Sequence, residues 1–161
     1  MPEIIKHHSA SDMETVNLGL RLGSVLINGD VIALSGELGS GKTCFTKGIS
    51  LGLGVPKETV ITSPSFSLVN VYEGRCNLFH MDVYRLENLS DLLSAGLDEY
   101  LYQDGVVVME WADRWPEILP EWRLDVFFSI PYSSSERENY RDISFSAYHA
   151  RSEEILRDMK R

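Results

Sequence analysis

Apolar and polar residues alternate in blocks along the chain, and the blocks predict an α/β order. Val31-Ile32-Ala33-Leu34 and Val106-Val107-Val108-Met109 are continuous apolar runs, as expected of strands buried on both faces. Residues 3–7 read as a short strand. Ser11-Asp12-Met13-Glu14 reads as a capping box, in which Ser11 accepts from the third amide and Glu14 reaches back. The helix it opens runs to about Ile27, with Val16, Leu20, Gly23 and Ile27 on one face, and Asn28-Gly29-Asp30 stops it. A second helix follows from Cys44 to Leu51 and ends near Gly52 and Gly54, with Pro56 beyond. After a polar loop at 59–65, residues 66–72 and 76–82 flank Glu73-Gly74-Arg75 as a β-hairpin. Residues 89–102 read as one helix capped by Asn88 or Ser90. Strands near 124–130 and 141–148 and a C-terminal helix complete the pattern. The sum is an α/β class, a mixed sheet with parallel strands in the middle and an antiparallel hairpin attached.

Between the first long apolar run and the helix after it stands Gly36-Glu37-Leu38-Gly39-Ser40-Gly41-Lys42-Thr43, which fits G-x-x-x-x-G-K-[ST]. Strand, glycine-rich loop and helix N-terminus are the context this motif needs, and they predict a P-loop NTPase-like three-layer fold. Glycines let the backbone approach an anion, so the amides of residues 37–44 can turn inward around phosphates. The helix that begins there adds unpaired N–H groups and the positive end of its dipole. On this reading Glu37, Leu38, Gly39, Ser40, Gly41, Lys42, Thr43 and Cys44 bind the nucleotide. Lys42 brings an ammonium to the outer phosphates, and Thr43 offers a hydroxyl to magnesium, which takes hard oxygen ligands.

Hydrolysis also needs a carboxylate at the end of a neighbouring strand. Glu110 follows the second long apolar run, and Asp82 follows Leu78, Phe79 and Met81. Glu110 is assigned with Thr43 to the magnesium shell, and Asp82 to water activation or a supporting contact, with the two roles open to exchange. Lys42, Asp82 and Glu110 are the candidate catalytic groups. Hydroxyls in Thr62-Ser63-Pro64-Ser65 either sense the third phosphate or only shape a turn. Arg85 is a candidate for stabilising charge in the transition state or for anchoring a partner. His80, set among apolar residues, reads as a strand residue satisfied in the core, and Trp111 either stacks on a base or fills the core.

Composition narrows the class further. A chain of 161 residues is the size of one domain, taken as 1–161. No apolar stretch has the length of a membrane span, and residues 1–6 lack the features of a signal peptide. The two cysteines, Cys44 and Cys76, have no metal spacing, and a reducing cytoplasm fits them. The net charge of −9, with scattered Arg and Lys, argues against a strong direct grip on nucleic acid.

Taken in order, the loop at 36–43, Ser63-Pro64-Ser65-Phe66-Ser67-Leu68, His80-Met81-Asp82-Val83-Tyr84-Arg85-Leu86, Glu110-Trp111-Ala112-Asp113 and Leu119-Pro120 resemble the TsaE family. The resemblance spans nearly the whole chain. It implies a stand-alone ATPase domain of weak intrinsic activity, needed to make threonylcarbamoyladenosine in tRNA. It implies TsaD and TsaB as protein partners, with ATP hydrolysis resetting their complex between turnovers. It implies nucleotide contacts near residues 9–15 and from Arg141, and functional importance for Asp82 and Trp111. Ser40, Ser65 and Phe66 stand where the family more often has alanine, threonine and tyrosine.

Three other readings compete. A GTPase requires Asn-Lys-x-Asp and usually an Asp-x-x-Gly switch, and the chain has neither. A P-loop small-molecule kinase requires an arginine-bearing lid, for which Arg114 beside Trp115-Pro116 is the only hint. A non-hydrolysing, nucleotide-dependent regulatory module differs from the ATPase only in turnover.

Overall fold

In the computed structural model, which describes residues 2–131 and 139–161, the two apolar runs are adjacent strands of one sheet. The strands are β1 (Glu3–Ser9), β2 (Val31–Gly36), β3 (Val69–Glu73), β4 (Asn77–Asp82), β5 (Val106–Glu110), β6 (Leu124–Ser129) and β7 (Arg141–Ala147). They form a seven-stranded sheet in the order β1-β7-β6-β2-β5-β4-β3. β2 lies parallel to both β5 and β6, and β4 lies parallel to β5. The expected hairpin is present as β3 antiparallel to β4. The sequence reading assigns antiparallel pairing only to that hairpin. In fact β7 is antiparallel to β6, and β1 to β7, so both flanks of the sheet are antiparallel.

Strand alternation sends residues to two cores. On one face Ile32, Leu34, Val108, Val126 and Phe145 meet α1 (Asp12–Val25), α2 (Lys42–Gly52) and α4 (Ala150–Met159). On the other face Ala33, Met81, Val107 and Met109 meet α3 (Leu89–Ser94) and the segments after it. The expected single helix at 89–102 is two pieces. Asn88 caps α3, Gly96 takes a left-handed φ of 73°, and Leu97–Tyr102 continues as a 3-10 helix. A glycine free to adopt that φ ends the α-helix at little cost. At the chain's other end, Arg151 ties α4 to the start of β2, donating to the buried Asp30 carboxylate at 2.8 and 2.7 Å. Among the described residues no helix is long and apolar enough to cross a membrane.

Helix α1 departs from its expected face. Ser11 accepts from the Glu14 amide at 3.1 Å as predicted, but the Glu14 carboxylate takes the Ala10 amide, one residue before the cap. The buried residues are Thr15, Leu18, Gly19, Leu22 and Gly23, whereas Leu20 and Ile27 are exposed. The cause is a crossing made of backbone. A Cβ added to Gly48 of α2 would sit 2.1 Å from the Val16 carbonyl oxygen, and one added to Gly19 would sit 2.3 Å from that of Phe45. Gly23 and Gly52 are as closely opposed to Ile49 and Leu20. Side chains cannot stand between the helices, so the apolar stripe turns toward the sheet. Gly48→Ala is expected to cost about 2–3 kcal/mol of stability through overpacking. Urea unfolding reads this directly, and an unchanged midpoint means the helices cross further apart.

Candidate functional site

The glycine-rich loop leaves β2 at Gly36 and enters α2 at Lys42. Gly41 is the N-cap of α2 with a left-handed φ of 106°, a conformation that a side chain would strain. No side chain caps this helix start, so its first amides face the cleft beside the loop. The cleft measures about 370 Å³. Its lining includes Leu38 to Cys44, Ser63, Asp82, Glu110, Trp111 and Arg141.

Lys42 is folded into the loop's own curve. Its ammonium donates to the Gly36 carbonyl at 2.6 Å and the Glu37 carbonyl at 2.9 Å, and lies 4.0 Å over the Trp111 ring. Burial pushes its pKa below the usual lysine range, against the opposing pull of the Glu110 and Asp82 charges. Trp111, directly after β5, has a left-handed φ of 64°. That backbone turn brings its half-buried ring under Lys42 and 4.7 Å from the Tyr84 ring. Trp111 also packs against the core on that face of the sheet, so it both fills the core edge and lines the cleft.

The two carboxylates are neighbours by register: Asp82 ends β4 directly beside Glu110 at the end of parallel β5. Both are buried. Glu110 accepts from the Thr43 hydroxyl at 3.2 Å to each of its oxygens, and one of them lies 2.5 Å from His80 Nε2. Asp82 accepts from the Ser63 hydroxyl and, at 2.9 Å, from the Tyr84 amide. Among the described residues no group of three or more His, Cys, Asp or Glu side chains could hold a metal by itself. Thr43 and Glu110 offer hard oxygens at short range instead, the donor type suited to a cation that keeps most of its waters.

Arg141 comes from β7 to the far side of the loop, where Nη2 donates to the Gly39 carbonyl at 2.9 Å. The segment at 9–15 reaches the same place: Asp12 lines the cleft, and its carbonyl accepts from the Cys44 thiol at 3.4 Å. Glu37 turns its carbonyl to Lys42, and Leu38 is exposed at the rim. Two arginines sit elsewhere. Arg85 lies 3.8 Å over the exposed Phe66 ring, while Arg114 donates to the Tyr84 carbonyl and lies over Trp115. The one arginine that hinted at a kinase lid is thus engaged away from the cleft.

His80 is the buried strand residue that the sequence suggests, and the structure adds its partner: Nε2 meets Glu110, which the sequence reading does not connect to it. The signal was present in the spacing: His80 and Asp82 are two apart on one strand face, and the strand beside them carries Glu110.

These features define a mixed α/β protein with a glycine-rich loop between its central strand and the following helix, faced by carboxylates from the two adjoining strand ends. Residues 9–142 match the family model described as Threonylcarbamoyl adenosine biosynthesis protein TsaE. The chain is 47% identical over 122 residues to the tRNA threonylcarbamoyladenosine biosynthesis protein TsaE of Treponema pallidum, covering 76% of this chain and 89% of that one. It is 36% identical over 158 residues to the protein of the same name in Bacillus subtilis, covering 98% and 94%. The crystal structure of Bacillus subtilis YdiB superposes with a TM-score of 0.80 at 34% identity, over 99% of this chain and 96% of that one. The chain belongs to the TsaE family, and its role lies in the biosynthesis of threonylcarbamoyladenosine in tRNA.

Proposed function

We propose that this TsaE protein is a magnesium-dependent P-loop ATPase that acts on the TsaD and TsaB proteins, resetting their complex between rounds of tRNA modification. The observation that carries the reading is the convergence of Lys42, Thr43, Asp82 and Glu110 on one cleft lined by the loop and the start of α2. Loop amides and the helix N-terminus hold the phosphates of ATP. Lys42 then exchanges its carbonyl partners for phosphate oxygens, and Arg141 approaches from the opposite wall. Thr43 and Glu110 hold magnesium, which supplies charge neutralisation on the outer phosphates. Asp82 orients the attacking water and accepts its proton, while Ser63 and the Tyr84 amide keep the carboxylate aimed. Trp111, with the Tyr84 ring packed against it, closes one wall of the site.

The acidic balance of the chain supports action through proteins, with tRNA held elsewhere. The test is ATP turnover by the purified protein, alone and with TsaD and TsaB, together with tRNA binding at physiological salt. Slow turnover that rises with the partners, and weak tRNA binding by this chain alone, are the expected results. ATP binding with no turnover under any condition favours the non-hydrolysing module. A tight, salt-steep tRNA complex overturns the assignment of partners.

A further inference from the structure

We propose that His80 is a positioning residue that fixes the Glu110 carboxylate for the metal, an inference resting on the reading of the site given above. His80 is 0% exposed, and its Nε2 lies 2.5 Å from Glu110 Oε2. Its other ring nitrogen, Nδ1, is buried with no hydrogen-bond partner among the described residues. Burying an imidazole with one orphaned nitrogen costs stability, and an apolar residue of similar size would avoid that cost. Packing alone therefore does not account for a histidine at this position. The hydrogen bond to Glu110 does.

The arrangement fixes the direction of that bond. With the ring proton on Nε2, histidine donates to the carboxylate, and the orphaned Nδ1 is only an unfilled acceptor. With the proton on Nδ1, a buried donor is stranded and two acceptors face each other at Glu110. The first form is the one the surroundings accept.

Glutamate has a long side chain with several torsions, and the Lys42 ammonium lines the same cleft. The His80 bond holds one carboxylate oxygen back toward the strand. The carboxylate then stays at the Thr43 hydroxyl, 3.2 Å from each of its oxygens, and does not swing toward the ammonium. His80 itself does not line the cleft, so it acts through Glu110 and touches neither phosphate nor metal.

The test compares His80→Leu, which removes the donor, with His80→Gln, whose amide nitrogen reaches the position of Nε2. Mn2+ binding is titrated by EPR in the presence of a non-hydrolysable ATP analogue. Analogue binding is measured separately in EDTA. His80→Leu is expected to weaken Mn2+ binding about tenfold, the usual scale for loss of a partner behind a metal ligand. Its analogue binding in EDTA should stay within about twofold of wild type, and His80→Gln should restore most of the Mn2+ affinity. Should His80→Leu fail to fold, His80→Asn replaces it, since that amide reaches only the Nδ1 position. Wild-type Mn2+ affinity in the variants that lack the donor overturns the proposal. So does an equal loss of analogue binding in EDTA, which marks a purely structural role. If the wild-type protein itself shows no coupling between Mn2+ and the analogue, the metal-site reading fails, and this inference fails with it.

Discussion

On the proposed function, Lys42→Ala is expected to lose ATP hydrolysis by a few hundredfold or more, about 3–4 kcal/mol in the barrier, the scale for removing one preorganised charge-stabilising donor. The reason lies in where the ammonium sits. It is buried between the Gly36 and Glu37 carbonyls, over Trp111, and faces the Glu110 and Asp82 charges. A cation held there is already partly stripped of water, so it responds strongly to charge that develops on a phosphate nearby. Alanine leaves the glycines and the helix start in place. Some nucleotide binding should therefore persist while turnover vanishes. Single-turnover kinetics, with a thermal melt to confirm the fold, measure the loss. Wild-type turnover in this variant refutes the lysine's role and with it the hydrolytic reading of the loop.

Glu110→Ala and Asp82→Ala should fail in different ways. Glu110 is bonded to Thr43 on the loop, so its removal weakens magnesium-dependent nucleotide binding by about 10–100-fold or more, taking outer partners of metal sites as the lower bound. Asp82 is bonded to Ser63 and the Tyr84 amide, whereas the Thr43 hydroxyl is turned to Glu110. Its removal spares binding and abolishes turnover. Titrating an ATP analogue against magnesium, alongside turnover, separates the two. Equal losses of binding in both variants mean the carboxylates share the metal, and the division of roles proposed above then falls.

The loop and the central strands were legible because their signals are local. Glycine, lysine and threonine at fixed spacing describe one turn, and an unbroken apolar run describes one strand. The roles assigned to Glu110 and Asp82 began from the same kind of cue, a carboxylate at the end of an apolar strand. What stayed hidden depends on which elements meet. His80 is a core histidine by its immediate neighbours, and only the β4–β5 pairing reveals Glu110 beside it. The face of α1 was misjudged because glycine carries no hydrophobic signal, although Gly19, Gly23, Gly48 and Gly52 set the crossing. Gly96 did carry a local cue, but residues 89–102 read as one helix without it. The antiparallel flank of β6, β7 and β1 follows from chain path, which short patterns do not encode.

The glycine crossing between α1 and α2 bears on how motion at the cleft would travel. Where two helices meet through interdigitated side chains, small rotamer changes absorb a shift. Here carbonyl meets Cα, and nothing soft lies between them. A tilt of α2 as the loop grips its ligand would carry α1 along as one stiff lever. The exposed outer side of α1, with Met13, Leu20 and the following Ile27, would then be displaced in step with events at Lys42.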